Sequence, residues 1–140
     1  MSKLTTADYP LAETRPAEVK GGRGTALADI TLDAVLDGRI TMDDLGITSE
    51  ALAAQAEIAR AAGRPALARN FERAAELVAV PQDVIMAVYE LLRPGRAGSK
   101  QQLLDAARTL RQHHGAARLA GFVEEAAEAY ERRGLFTFRF

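Results

Sequence analysis

The chain has 140 residues, 48% of them hydrophobic and 26% charged, with 18 basic side chains against 19 acidic ones and no cysteine. That size and apolar content suit one ordinary folded domain, and a net charge of -1 gives no global field to draw in nucleic acid or an anionic membrane. Without cysteine, disulfides, thiolate metal sites and a thiol nucleophile are excluded. No run approaches the roughly 18 apolar residues needed to span a bilayer, and the start, MSKLTTADYPLAETRPAEVKGG, has no signal-peptide core. The chain reads as intracellular and soluble.

From Met1 to about Ala28, Pro10, Pro16, Gly21, Gly22 and Gly24 interrupt apolar residues too scattered to define a face, which predicts an arm or linker. Helix punctuation then repeats at short intervals. Thr31 can cap LDAVLDG, ending at Gly38, and Thr41 can cap a short MDDLG turn ending at Gly46. Thr48 or Ser49 opens EALAAQAEIARAAG, where Leu52, Gln55, Ile58, Ala59 and Ala62 follow a helical period up to Gly63. Pro65 suits a first helical position, where its missing N–H has no partner to lose, and Leu67, Phe71, Ala74, Ala75 and Val78 line one face after it. Pro81 repeats the device before Val84, Ile85, Val88, Leu91 and Leu92, and Pro94 ends that helix. Ser99 caps KQQLLDAARTLRQHHG, with Leu103, Leu104, Ala107 and Leu110 on one side, and Gly115 separates it from the helix carrying Leu119, Phe122, Val123, Ala126, Ala127 and Tyr130.

Strand-like alternation appears only in the final LFTFRF. The expected fold is therefore all-α, a compact domain of about five or six helices over 29–140 preceded by an extended or flexible arm over 1–28. Many inward positions are alanine, aromatics are 6% and tryptophan is absent, so each helix offers a narrow apolar face. Two readings follow: a self-sufficient bundle of closely spaced Ala-rich helices, or a domain that gains stability from a larger partner.

Candidates for chemistry are weak. His113 and His114 are the only histidines and, as helix neighbours, point about 100° apart, unlike an i, i+4 metal pair; polar residues welcome at a helix C-terminus are the simpler reading. GGRGTA at 21–26 has phosphate-loop composition, but no strand precedes it and no helix follows directly, which favours a flexible linker. The adjacent carboxylates Asp43 with Asp44 and Glu124 with Glu125 read as solvated faces, and Arg69, Glu72, Arg73 and Glu76 as ordinary helix ion pairs. No catalytic residue, cofactor ligand or metal ligand is assigned, and residue chemistry points away from a self-contained enzyme.

The stretch ARNFERAAELVAVPQDVIMAVYELLRPGRAGSKQQLL, with DYPLA at 8–12, LADITLDAVLDGRI at 27–40 and FVEEAAEAYERRG at 122–134, resembles the small, or gamma, subunit of adenosylcobalamin-dependent diol and glycerol dehydratases. Asn70, Phe71, Arg73, Glu76, Leu77, Pro81, Tyr89, Arg93 and Pro94 carry the most specific part of the likeness, while GGRGTA and RPGRAGSK depart from the family's usual wording. The resemblance implies a helical accessory chain packed on a large TIM-barrel subunit, in a heterohexamer of two large, two medium and two small subunits. It implies that adenosylcobalamin lies between large and medium subunits, and that the complex converts propane-1,2-diol to propanal, or glycerol to 3-hydroxypropanal, with loss of water. It transfers no catalytic residue to this chain. It also implies a cytoplasmic setting, in some relatives inside a bacterial microcompartment, although residues 1–22 lack the apolar helical face of an encapsulation leader.

The candidate subunit-interface residues are Arg69, Asn70, Phe71, Arg73, Tyr89 and Arg93 on the 65–92 helical pair, together with the alternating Phe136, Phe138 and Phe140. Phe71 and Tyr89 could equally be internal core with the arginines solvated, because amphipathic periodicity does not distinguish a partner from a core. The contrasting function is a free-standing helical binding or adaptor module.

Overall fold

A computed structural model describes residues 3–137. All of its regular structure is helical, with one isolated antiparallel bridge between Lys20 and Ala26 among the described residues. This agrees with the all-α expectation. The chain divides into two compact units between Val78 and Ala79.

The N-terminal unit contains α1 (Leu11–Thr14), α2 (Leu32–Leu36), α3 (Met42–Leu45), α4 (Ser49–Ala61) and α5 (Pro65–Leu77). Residues 3–28 form a series of short turns within this unit. Leu4 N–H donates to Glu57 on α4 at 3.1 Å, Arg15 pairs with Asp8 at 2.7 Å, and Leu11 is buried. Helices α4 and α5 run antiparallel: Ser49 Oγ, at the start of α4, donates to the carbonyl of Ala75 near the end of α5. Their contact is made of alanines, with Ala56, Ala59 and Ala68 buried and Phe71 packed beside them. Side chains this small let two backbones approach closely, so the narrow faces read from the sequence pack helix on helix. Thr48 caps α4 by accepting from Ala51 N–H, and Pro65 occupies the first turn of α5 as its fixed φ favours.

The C-terminal unit contains α6 (Gln82–Leu92), α7 (Lys100–His114) and α8 (Ala117–Arg132). Pro81 stands one residue before α6, in the capping position, and Ser99 caps α7. Gly115 ends α7 at φ 62°, a left-handed conformation that glycine adopts without steric penalty. Leu103, Ala107 and Leu110 of α7 meet Ala120, Val123 and Ala127 of α8 in one core, large residues alternating with small. Lys100 pairs with Glu128 and Glu131, both at 2.7 Å, and Arg111 forks onto Glu124, which ties the two helices antiparallel. Tyr130 donates its hydroxyl to the carbonyl of Leu92, satisfying an acceptor that the end of α6 leaves open. Helix α6 is different: it has no buried residue, and Val84, Ile85, Val88, Leu91 and Leu92 are only partly covered.

Candidate functional site

The strongest polar constellation lies where the sequence suggests a linker. Asp44, on α3, is 1% exposed, the one buried charged side chain among the described residues. Its carboxylate accepts from Arg23 Nε at 3.0 Å and Arg23 Nη2 at 2.5 Å, from Thr25 Oγ1 at 2.6 Å and from Thr41 N–H at 3.0 Å. Arg23 also donates to the Arg39 carbonyl at 2.9 Å. GGRGTA therefore neither hangs free nor cradles a phosphate. It wraps a carboxylate belonging to its own unit, and Asp44 is not the solvated residue its neighbour Asp43 is. The contact is close enough to require glycine: Gly22 N–H donates to the Asp44 carbonyl at 3.2 Å, and a Cβ on Gly22 would sit 2.1 Å from the Asp43 carbonyl oxygen.

The Arg23 guanidinium first, then the Thr25 hydroxyl and the Thr41 N–H, hold the Asp44 carboxyl far below the ordinary aspartate value of 3.8. A carboxylate depressed on folding leaves the unfolded chain binding more protons, so stability rises with pH between the two values. The contribution is complete above the ordinary value and is lost as pH falls through the folded one. The thermal midpoint of the wild type is expected to drop steeply between about pH 5 and about pH 2. Asp44→Asn should melt lower at neutral pH and lose less over the same acid range, measured by circular dichroism. Parallel slopes would contradict the assignment, since Asp8, Asp37 and Glu124 are also depressed and contribute equally to both proteins.

The candidate interface residues are divided between the two units. Arg69, Asn70, Phe71 and Arg73 lie on α5 in the N-terminal unit; Tyr89 on α6 and Arg93 just after it lie in the C-terminal unit. Phe71 is half-buried against the alanine contact of α4 and α5. Arg73 donates to Asn70 on its own helix, and Arg93 pairs with Glu90 at 3.0 Å. Arg69 and Asn70 are exposed, as is Tyr89 at 56% beside Met86 at 49%. Phe136 packs on the C-terminal core with its ring 6.3 Å from that of Tyr130. Phe138 and Phe140 lie outside the described residues. Glu72 reaches Arg60 of α4 at 2.5 Å.

Sequence reasoning missed a second feature. Leu32 and Leu36 on α2, Met42 and Leu45 on α3, and Ile47 just beyond are exposed, although the same turns bury Ala34, Ile40 and Asp44. The signal was present in DAVLDG and MDDLG, whose apolar residues outnumber what helices of five and four residues can turn inward.

This combination is that of an all-helical chain whose principal buried charge fastens its own loop and whose surface carries apolar side chains suited to contact. Among the described residues no group of three or more His, Asp or Glu is placed to hold a metal. The family model of the dehydratase small subunit matches residues 4–137. Over 126 residues, 90% of this chain and 73% of the relative, the sequence is 48% identical to the propanediol dehydratase small subunit of Citrobacter freundii. Over 127 residues, 91% of this chain and 73% of the relative, it is 48% identical to the propanediol dehydratase small subunit of Salmonella typhimurium strain LT2. The chain belongs to the dehydratase small-subunit family.

Proposed function

We propose that this chain is the non-catalytic small subunit of an adenosylcobalamin-dependent dehydratase that converts propane-1,2-diol to propanal, or glycerol to 3-hydroxypropanal, with loss of water. The observation that carries the reading is the family match across nearly the whole chain, joined to two relatives that bear the name propanediol dehydratase small subunit. The partners are a large and a medium subunit, two copies of each in a heterohexamer with two of this chain. Adenosylcobalamin belongs to that assembly and supplies the radical chemistry, while protein surfaces hold the pieces and exclude water. No residue of this chain is assigned to the cofactor.

The contribution of this chain is to bind and brace. Of the candidate residues, Arg69, Asn70, Tyr89 and Arg93 are exposed and can meet a partner, whereas Phe71 and Phe136 serve packing within their own units. A half-covered α6 followed by Arg93 suits the same role, because an uncovered apolar helix face suits contact with another chain. The setting is the cytoplasm, with or without an enclosing microcompartment; no helix among the described residues is long and apolar enough to cross a membrane.

The test is omission. Large and medium subunits produced with and without this chain are assayed for aldehyde formation from propane-1,2-diol in the presence of adenosylcobalamin. The expected result is soluble, active complex only when the chain is included. Equal activity without it would remove the bracing role.

A further inference from the structure

We propose that the outer face of α8 is the seat of the chain's own C-terminal aromatics, Phe138 and Phe140, which serve the C-terminal unit rather than a partner subunit. Phe122, Glu125, Ala126, Glu128, Ala129 and Arg132 line one open groove along that helix. Phe122, Ala126 and Tyr130 follow one another at intervals of four on α8, so a large, a small and a large side chain form one ridge with a notch in its middle. Phe122 is 40% exposed.

The chain returns to this ridge by its own geometry. Gly134, at φ 63°, follows α8 and turns the backbone, and Leu135 N–H donates to the Tyr130 carbonyl at 2.9 Å. Phe136 then packs on the core with its ring 6.3 Å from that of Tyr130. Phe136 is half-buried and Thr137 is exposed. The sequence LFTFRF continues that alternation, with aromatics at 136, 138 and 140 and polar residues at 137 and 139. Aromatics gathered so closely seldom face water together.

Spacing sets the register. Phe136 already lies beside Tyr130, two residues short of the end of α8 at Arg132, so the chain is heading toward the start of that helix. Two residues of extended chain advance about 6.6 Å, and four residues of α-helix rise about 6 Å. A segment leaving Phe136 in that direction therefore brings Phe138 to the notch at Ala126 and Phe140 to Phe122, one aromatic for each turn of α8. The charges permit this occupant. Glu128 and Glu131 are held by Lys100 and Glu124 by Arg111, which leaves Glu125 as the groove's carboxylate open to Arg139, while Arg118, Arg132 and Arg133 stand toward the two ends of the helix.

The chain has no cysteine, so one introduced pair reports proximity without interference. In the isolated full chain, Ala126→Cys with Phe138→Cys should close an intramolecular disulfide under mild oxidation, read as a faster-migrating monomer. Gln112→Cys on the exposed side of α7, combined with Phe138→Cys, should not. Phe138→Ser with Phe140→Ser should lower the melting midpoint of the isolated chain by several degrees. Phe122→Ala and Phe140→Ala together should lower it by less than the sum of the two single shifts, because both remove the same contact. An unchanged melt, or failure of the Ala126 and Phe138 pair to close, overturns the proposal. So does a disulfide that joins two chains, which would assign the groove to a second copy. Closure only after large and medium subunits are added also overturns it, since a partner would then be what orders the segment.

Discussion

Replacing Leu103 by alanine is expected to destabilise the C-terminal unit by roughly 3 to 4 kcal/mol, among the largest losses available to any single side chain here. Leu103 is fully buried, and its neighbours in the core are Ala107, Leu110, Ala120, Val123 and Ala127. An alanine-rich contact has little freedom to collapse into the space left behind, since each small side chain already brings the two backbones close. The cavity therefore remains, and its cost adds to the lost transfer of the leucine side chain. Ala107→Leu, one turn further along α7, errs in the opposite direction, with roughly 1 to 3 kcal/mol of overpacking. Urea titration of the full chain followed by circular dichroism measures both. A loss below about 1 kcal/mol for Leu103→Ala would mean that the α7 and α8 contact is looser than its burial indicates.

Gly22→Ala is expected to cost roughly 2 to 3 kcal/mol through steric conflict with main chain rather than through φ. The new Cβ would lie 2.1 Å from the Asp43 carbonyl oxygen, and one on Gly21 would lie 2.4 Å from that of Asp44. Neither neighbour is a flexible side-chain end that could swing aside. The 21–26 loop or α3 must move, which lengthens the bonds from Arg23 and Thr25 to Asp44 and shifts Met42 and Leu45 with them. Gly24→Ala is the internal comparison: its φ of 84° strains any L side chain, but nothing lies within 4 Å, so roughly 1 kcal/mol is expected. The same titration ranks the two variants. A Gly24→Ala loss equal to or above that of Gly22→Ala would contradict the close approach.

The five long helices were legible in the sequence because each carries its own boundary. Thr48 and Ser99 cap, Pro65 opens, and Gly63 and Gly115 close with positive φ. These are local effects, decided within one turn of chain. What the sequence concealed depends on partners far along it. Arg23 and Asp44 are 21 positions apart, and no periodicity links a glycine-rich loop to a two-residue acidic run. Read locally, one looks like a linker and the other like solvated charge. Folded, they satisfy each other within one unit. The candidate interface divided for a related reason. Phe71 and Tyr89 are both aromatics on amphipathic helices, yet Phe71 packs on Ala56, Ala59 and Ala68, while Tyr89 remains 56% exposed. Apolar spacing reports which residues avoid water, and the neighbouring element decides what they avoid it against.

Recognition of the family rested on ARNFERAAELVAVP and YELLRP, and the match to the dehydratase small subunit over residues 4–137 agrees with it. Those two blocks lie on α5 and α6, a third, LADITLDAVLDGRI, covers α2, and none of the blocks includes Arg23, Thr25 or Asp44.

The most direct measurement is a pull-down of the tagged full chain from its native cells grown on a diol, with the eluate assayed for aldehyde formation with and without adenosylcobalamin. Recovery of two larger chains together with activity that depends on the cofactor is the predicted result. Recovery of the chain alone, or of unrelated proteins with no such activity, would contradict its role as a dehydratase subunit.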